Sequence, residues 1–322
     1  MSMDSLGSRA IIGSFYAALE AYTGAGWINP LSMFFGNSDQ ASEEYKWLGM
    51  SPALREWVGG RQAKGLKDNG ITIKNKTWEG TLVIPVDWLR RDKTGQIQIR
   101  INELAGRAAE LDSKLLSTLI IGGGAAGGEC YDGQYFFDTD HAEGSSGTQT
   151  NALVASDYGT LNVGTPAAPT VAEMNAAILS SIQHIYGFKD DQGEPMNSNA
   201  KNFLVMVPVN MMGAGMGAVY SRIINASTGA YDNTMANAAA AQGFNVQCVV
   251  NPRLTSTTNF FVFRTDAPAK PFIRQEELPL QVDAIAEGSE EEFKNNQHLY
   301  GVKRICNAGY GYWQYAVQST LS

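Results

Sequence analysis

The chain has 322 residues and a formal net charge of −8, from 24 Lys and Arg against 32 Asp and Glu. Charged residues are 17% of it and aromatics 10%, against about 25% charged in an average globular domain, which excludes a disordered acidic segment and leaves room for one to three packed domains. The cysteines Cys130, Cys248 and Cys306 and the histidines His141, His184 and His298 stand singly, so no disulfide framework, C-x-x-C pair or H-E-x-x-H site is readable. An acidic balance also speaks against tight sequence-independent binding of nucleic acid, which relies on clustered Lys and Arg.

Met1-Ser2-Met3-Asp4 lacks the basic start of a secretory signal, while Ile11, Phe15, Leu19 and Tyr22 recur at helical spacing and predict an amphipathic helix. Trp27 to Gly49 is aromatic-rich without a clear period, an arm whose rings need a surface to bury against, either in its own chain or in a neighbouring copy.

Residues 55–93 are the most informative block. Asp68-Asn69-Gly70 signals a tight turn, because Asn and Gly tolerate positive φ. Ile71 and Ile73 alternate beyond it, and Leu82, Ile84, Val86 and Trp88 share one face of a period-two pattern, so a long hairpin is expected. The block holds nine Lys and Arg against five Asp and Glu, a basic island in an acidic chain.

Ile97, Ile101, Leu104, Ala108, Leu111, Leu115 and Leu119 then recur at steps of three and four residues. They predict one helix from Gly95 to Ile121, capped by Thr94, ended by Gly122-Gly123-Gly124 and about 40 Å long at the usual rise. The glycines from Gly122 to Gly128 follow a helix instead of preceding one and lack a phosphate-loop lysine, so they read as a hinge. In CYDGQYFFDTDH, Cys130 to His141, the residues Asp132, Asp138, Asp140 and His141 have the chemistry of a cation or acid–base site. There is no EF-hand spacing and no second acidic motif, so a loop fixed by its aromatics is the reading, with no metal assigned.

From Thr170 the pattern turns α/β. Thr170 or Thr165 can cap a helix carrying Met174, Ile178, Ile182 and Ile185; Asn202 to Pro208 reads as a buried strand; Met211 to Ala241 reads as a helical region of small residues; and Phe244 to Val250 and Phe260 to Phe263 read as strands. The uncharged stretch from Asn202 to Ser221 is interrupted by Pro208, Asn210 and glycines, so no membrane span is expected and synthesis in the cytoplasm is. The last region opens on an acidic run containing Glu276, Glu277, Asp283, Glu287, Glu290, Glu291 and Glu292, and closes on Leu299 to Thr320, read as an aromatic strand pair. His184 and His298 read as structural histidines without charged companions.

This order of elements resembles the major capsid proteins of tailed bacteriophages. The strings LGMSPALREWVGGRQAKGLKDNGITIKNKTWEGTLVIPVDWLRRDKTGQIQIRINELAGRAAE and CYDGQYFFDTDH are similar to those of Mu-like major head subunits of the gpT type, most closely over Leu48 to His141. The resemblance implies an α+β chain of the Hong-Kong-ninety-seven-type (Johnson) capsid fold. Its divisions would be an N-terminal arm over 1–54, an extended hairpin loop over 55–93, a peripheral domain with spine helix over 94–169, an axial α/β domain over 170–266 and returning peripheral strands over 267–322. It also implies a head protein in the virion capsid, assembled as hexamers and pentamers around double-stranded DNA that is not read by sequence. Expected partners are further copies of the chain, a scaffold or protease, a portal and a decoration protein; no cofactor or catalytic residue is expected.

The charge pattern suits contact between copies. Arg55, Trp57, Arg61, Lys64, Lys67, Trp78 and Trp88 of one copy are expected to meet Glu287, Glu290, Glu291 and Glu292 of the next. An encapsulin-like compartment enclosing cargo enzymes is the alternative within the same fold, and a hydrolase using Asp138, Asp140 and His141 is the alternative outside it. Low overall basicity predicts that isolated subunits form no high-affinity complex with duplex DNA at physiological salt; a discrete, salt-resistant band in a gel-shift assay contradicts this.

Overall fold

The computed structural model describes residues 7–22, 24–36, 40–46, 70–91, 95–226, 229–237 and 243–322. The helix α1 (Ser8–Ala21) buries Ile11 and Phe15 on one face. A short turn of helix, α2 (Ile28–Leu31), leads into β1 (Ser32–Phe35), followed by β2 (Ser42–Tyr45), β3 (Ile71–Lys74), β4 (Lys76–Pro85) and α3 (Val86–Arg91). Next come α4 (Gln96–Ala109) and α5 (Leu111–Gly122), then the small strands β5 (His141–Ala142), β6 (Thr148–Gln149) and β7 (Ala152–Leu153).

The second half contains α6 (Val171–Gly187), β8 (Asn202–Val207), α7 (Met212–Tyr220), β9 (Ile223–Ala226), β10 (Gly229–Asp232), β11 (Asn245–Val250) and β12 (Asn259–Arg264). It ends with β13 (Phe272–Ile285), α8 (Glu290–Asn295), β14 (Gln297–Tyr310) and β15 (Ala316–Thr320). Two sheets organise the chain: a four-stranded one in the order β1-β13-β14-β4 and a five-stranded one in the order β11-β8-β12-β15-β7. Among the described residues no helix is long and apolar enough to cross a membrane.

The basic block differs from the expected hairpin. Strand β3 pairs antiparallel with β2, Tyr45 opposite Ile71 and Ser42 opposite Lys74. The two paired strands are therefore far apart in sequence, and Asp68 and Asn69 lie outside the described residues. Strand β4 instead joins the four-stranded sheet, running antiparallel to β14 from Lys76 opposite Cys306 to Pro85 opposite Gln297. Its inward positions do follow the period-two pattern, with Ile84 buried and Leu82 partly so. Val86 and Trp88 are not part of that strand. A proline donates nothing to a ladder, and at Val86 the backbone turns into α3, whose Asp87 in the first turn and Arg90 and Arg91 in the last turn complement the helix dipole.

The spine is two helices, not one. At Glu110 ψ relaxes to −6°, and the Glu110 carboxylate accepts a hydrogen bond from Arg253 at 2.9 Å. The two segments serve different cores. Ile97, Ile101 and Ala105 of α4 pack with Ile11, Phe15, Ile84, Tyr300 and Val302, whereas Leu116 and Ile120 of α5 belong to the larger core around the five-stranded sheet. Thr94 lies outside the described residues, and the N-cap position is Gly95 at φ +73°. The glycine run after α5 is a packed turn instead of a hinge: a Cβ at Gly128 would sit 2.5 Å from the Gly122 carbonyl oxygen, and the Gly128 oxygen accepts from the Phe136 amide at 2.8 Å.

Two further expectations change. The small-residue region is helical at Met212–Tyr220 and again over 234–237, but between them Ile223–Ala226 and Gly229–Asp232 pair as an antiparallel hairpin. The aromatic C-terminal pair is divided between sheets, β14 lying between β13 and β4 and β15 between β12 and β7. The capping of α6 is as read: the Thr170 hydroxyl accepts from the Glu173 amide, and the Glu173 carboxylate accepts from the Thr170 amide.

One carboxylate ties the helices to the long strands. Asp112, at the start of α5, accepts from Arg274 Nη1 on β13 at 2.6 Å and from Arg304 Nη1 on β14 at 2.8 Å. Arg304 Nε also donates to Glu276 at 2.6 Å, and Arg274 reaches Ser32 and Asn29 at 2.8 Å each. The four charged side chains are between 11% and 17% exposed. Removing one partner from such a network leaves charge in a poorly solvated place.

Asp112→Ala is therefore expected to cost about 3 kcal/mol in urea unfolding, with Asp112→Asn intermediate; an unchanged midpoint for Asp112→Ala would show that the clasp contributes nothing. A second outcome concerns acid. Hydrogen bonds from the Gly164 and Thr170 amides hold the Glu173 carboxyl below its ordinary range. Burial pushes Asp266 up, but hydrogen bonds from Arg264 and the Lys201 amide prevail and its carboxyl also ends low. Groups with depressed folded pKa values add stability above their unfolded values, about 3.9 for Asp and about 4.3 for Glu, and lose it as pH falls through the lower folded values. The urea midpoint of wild type is expected to fall below about pH 4, and the Glu173→Gln, Asp266→Asn double variant to fall less steeply; parallel curves would remove these two carboxylates from the acid response.

Candidate functional site

The residues expected at copy-to-copy contacts occupy three settings. Arg55, Trp57, Arg61, Lys64 and Lys67 lie outside the described residues. Trp78 is turned to its own chain: its Nε1 donates to the Cys306 carbonyl at 3.1 Å and the Lys114 ammonium lies 5.5 Å from the ring centroid. Trp88, on α3, is 66% exposed.

The acidic run is organised by local bonds. Glu287 accepts from the Ser8 amide at 2.8 Å, which ties the start of α1 to the end of β13 and holds the Glu287 carboxyl below its usual range. Ser289 caps α8 by accepting from the Glu292 amide, and Glu290, Glu291 and Glu292 form its first turn, where negative charge complements the helix dipole. Glu292 accepts from the Gly288 amide at 2.6 Å and lies 3.6 Å from His298 Nε2, so His298 does have a charged companion. Glu291 accepts from Asn295 and Gln297 at 2.6 Å each, and Glu290 pairs with Lys294. Within this helix sits a residue that the charge pattern obscures: Phe293, 91% exposed. Its signal in the sequence was a single aromatic in the six-residue run EEEFKN.

The loop from Cys130 to His141 brings together part of the set read from sequence. His141 Nδ1 lies 2.6 Å from Asp132 Oδ2, while Asp132 Oδ1 accepts from Cys130 Sγ at 2.8 Å and from the Gln134 amide at 3.2 Å. The His141 ring stacks on Trp313, centroids 3.9 Å apart and 10° from parallel. Asp138 serves the backbone instead, accepting from the Tyr135 and Thr139 amides, and Asp140 is exposed. Cys130, Asp132 and His141 place ligand atoms within 4.8 Å of one another.

That trio suits a loop clamp better than a metal. Both Asp132 oxygens accept hydrogen bonds, and burial, reinforced by the Asp132 charge, drives the Cys130 thiol far above its ordinary pKa. A closed zinc site takes four ligands, and this group of described residues offers three. His184 is likewise structural: its Nε2 lies 2.5 Å from the Thr150 carbonyl, and its edge meets Tyr158 and Phe188.

Known proteins match this arrangement. The family described as Mu-like prophage major head subunit gpT matches residues 15–166 and 231–322. The Mu-like prophage FluMu major head subunit of Haemophilus influenzae is 38% identical over 114 residues, 35% of this chain and 36% of that protein. The major capsid protein of Escherichia phage Mu is 39% identical over 105 residues, 33% of this chain and 34% of that one. The chain thus spans about a third of the length of the curated relatives it matches. A subunit of the procapsid of bacteriophage JBD30 superposes with a TM-score of 0.54 at 21% identity, over 98% of this chain and 75% of that one. That likeness shows the fold, an α+β phage capsid fold. The family match takes in the four-stranded sheet, both spine helices and the Cys130–His141 loop, more than half of the residues, and the chain belongs to the Mu-like prophage major head subunit gpT family.

Proposed function

We propose that the chain is the major capsid protein of a tailed phage, forming hexamers and pentamers of an icosahedral shell around double-stranded DNA. The observation that carries this reading is the gpT family match on both sides of the 167–230 segment, joined to a whole-chain likeness to a procapsid subunit. The work is assembly, with no chemical step. In this reading residues 55–93 reach across a neighbouring subunit, residues 170–266 surround the local axis of the capsomer, and a scaffold or protease, a portal and a decoration protein act on the finished or growing shell.

The charge distribution supports it. A chain of net charge −8 gives phosphate few places to bind, and a wall that gripped DNA through many contacts would hinder packing and release. The basic residues concentrate in 55–93 and the acidic ones in 276–292, so two different patches of the same chain are complementary. Contacts between unlike patches generate rings when the rotation closes. Each exposed ion pair contributes only about 0–1 kcal/mol, so the charges set register and partner choice more than affinity.

Electron micrographs of the protein expressed with its own phage's scaffold are expected to show closed shells, and particles made in infected cells to contain duplex DNA. Reversing Arg61, Lys64 and Lys67 together is expected to lower shell yield and flatten its dependence on salt. Unchanged yield and salt dependence would disprove the pairing of this block with the acidic run, and particles holding enzymes instead of DNA would favour a cargo compartment.

A further inference from the structure

The four-stranded sheet is covered unevenly: β2 and β3 pack on one face at the Gln275 and Gly309 end, where the Gln275 side chain bonds Tyr45 and the Ile73 carbonyl. Helices α1 and α4 pack on the face that carries Ile84, Tyr300 and Val302. On the other face the register sets Val83 opposite Leu299 and Leu299 opposite Ile285, an apolar row across three strands. Val83 is 49% exposed and Ile285 52%.

At the same end of the sheet two short helices stand together. α3 leaves β4 at Pro85 and α8 delivers the chain into β14 at Gln297, opposite Pro85, with the Val86 amide donating to the Asn296 carbonyl at 3.0 Å. Each carries one bare aromatic, Trp88 on α3 at 66% exposure and Phe293 on α8 at 91%. These are the two most exposed large apolar side chains among the described residues. Apolar side chains gathered at one end of a sheet mark a surface that something else covers, and aromatics are the usual anchors of such contacts.

The charges say what covers it. α3 ends on the exposed Arg90 and Arg91, and α8 begins with Glu290 and Glu291. Within the chain Glu290 pairs with Lys294, and Glu291 is held by Asn295 and by Gln297 of β14, so none of these carboxylate bonds reaches α3. A helix with an aromatic and a basic end therefore lies beside a helix with an aromatic and an acidic start, and a second copy offers each of them its complement.

We propose that this end of the four-stranded sheet is a contact between copies of the chain, in which Trp88, Arg90 and Arg91 of α3 on one copy dock against Phe293, Glu290 and Glu291 of α8 on the next. The proposal deepens the shell reading above and rests on it. It assigns part of the basic block and part of the acidic run to one defined contact, with an apolar centre that charge counting did not reveal. Because unlike patches meet, successive copies form a ring where the rotation closes.

The test uses the full chain. Phe293→Asp and Trp88→Asp replace exposed side chains, so their melting temperatures are expected to match wild type, while the assembled fraction in sedimentation falls about tenfold or more, the scale of a lost hot-spot residue. Arg90→Glu with Arg91→Glu, and separately Glu290→Lys with Glu291→Lys, are each expected to impair assembly, and all four changes in one chain to restore it. Normal assembly of Phe293→Asp overturns the proposal, as does loss of a bound second protein with shell yield intact, which would make that protein the occupant. Should wild type itself form no shell, the shell reading fails and the contact is judged by oligomeric state: a wild-type ring that Phe293→Asp dissolves supports it, and a wild-type monomer at every concentration overturns it.

Discussion

A single carboxylate governs how the parts of this chain meet. Asp112 accepts from two arginines on adjacent long strands, and through them it fixes the helix that enters the larger core against the four-stranded sheet, whose far end builds the smaller core. Packing alone is permissive about rotation of a helix on a sheet, since apolar contacts are non-directional. Paired guanidiniums are not permissive, because their donors are planar and fixed. The same clasp reaches Ser32 and Asn29, so β1 and the turn before it are placed by the charges that place α5. Helix, long strands and N-terminal segment thus share one reference point.

The break at Glu110 follows from this division of labour. A continuous helix would present one stripe to one core, whereas α4 and α5 bury different residues in different clusters. Relaxing one residue re-aims the stripe between the two. The tie from Glu110 to Arg253 then holds the joint against the loop that follows β11.

Local order was legible in the sequence and pairing was not. The periodicities around Ile97 and Met174, the Thr170–Glu173 capping box and the alternation in β4 are short-range signals, and each corresponds to an element. The partners of β3 and β15 lie far away in the chain: β3 pairs with β2, a pairing that the turn signal at Asp68-Asn69-Gly70 could not announce. Trp88 fell on the wrong element because its spacing from Val86 suits a strand, while the helix start is dictated by Pro85 and the dipole-matched charges. Of the candidate contact residues, the acidic run was visible as composition, but its hydrogen bonds to Ser8, Asn295 and Gln297 depend on how α8 turns. Phe293 was hidden because one aromatic among charges has no period. The Asp132–His141 clamp was half legible: the residue types were plain, and only the fold could separate them from Asp138 and Asp140.

The position of β15 bears on how the chain reaches this state. It lies between β7 and β12 yet follows both in sequence, by more than 160 residues in the case of β7. Until residues 316–320 have been synthesised and have docked, both neighbours keep unsatisfied edges, the kind of surface that recruits foreign strands. Closure of the sheet is consequently a late, long-range event and slow for reasons of loop entropy. The interval between synthesis and closure is when such a chain is most exposed to aggregation. Strand β15 acts as a keystone: until it docks, the larger core, to which Ala316 and Val317 contribute, is unfinished.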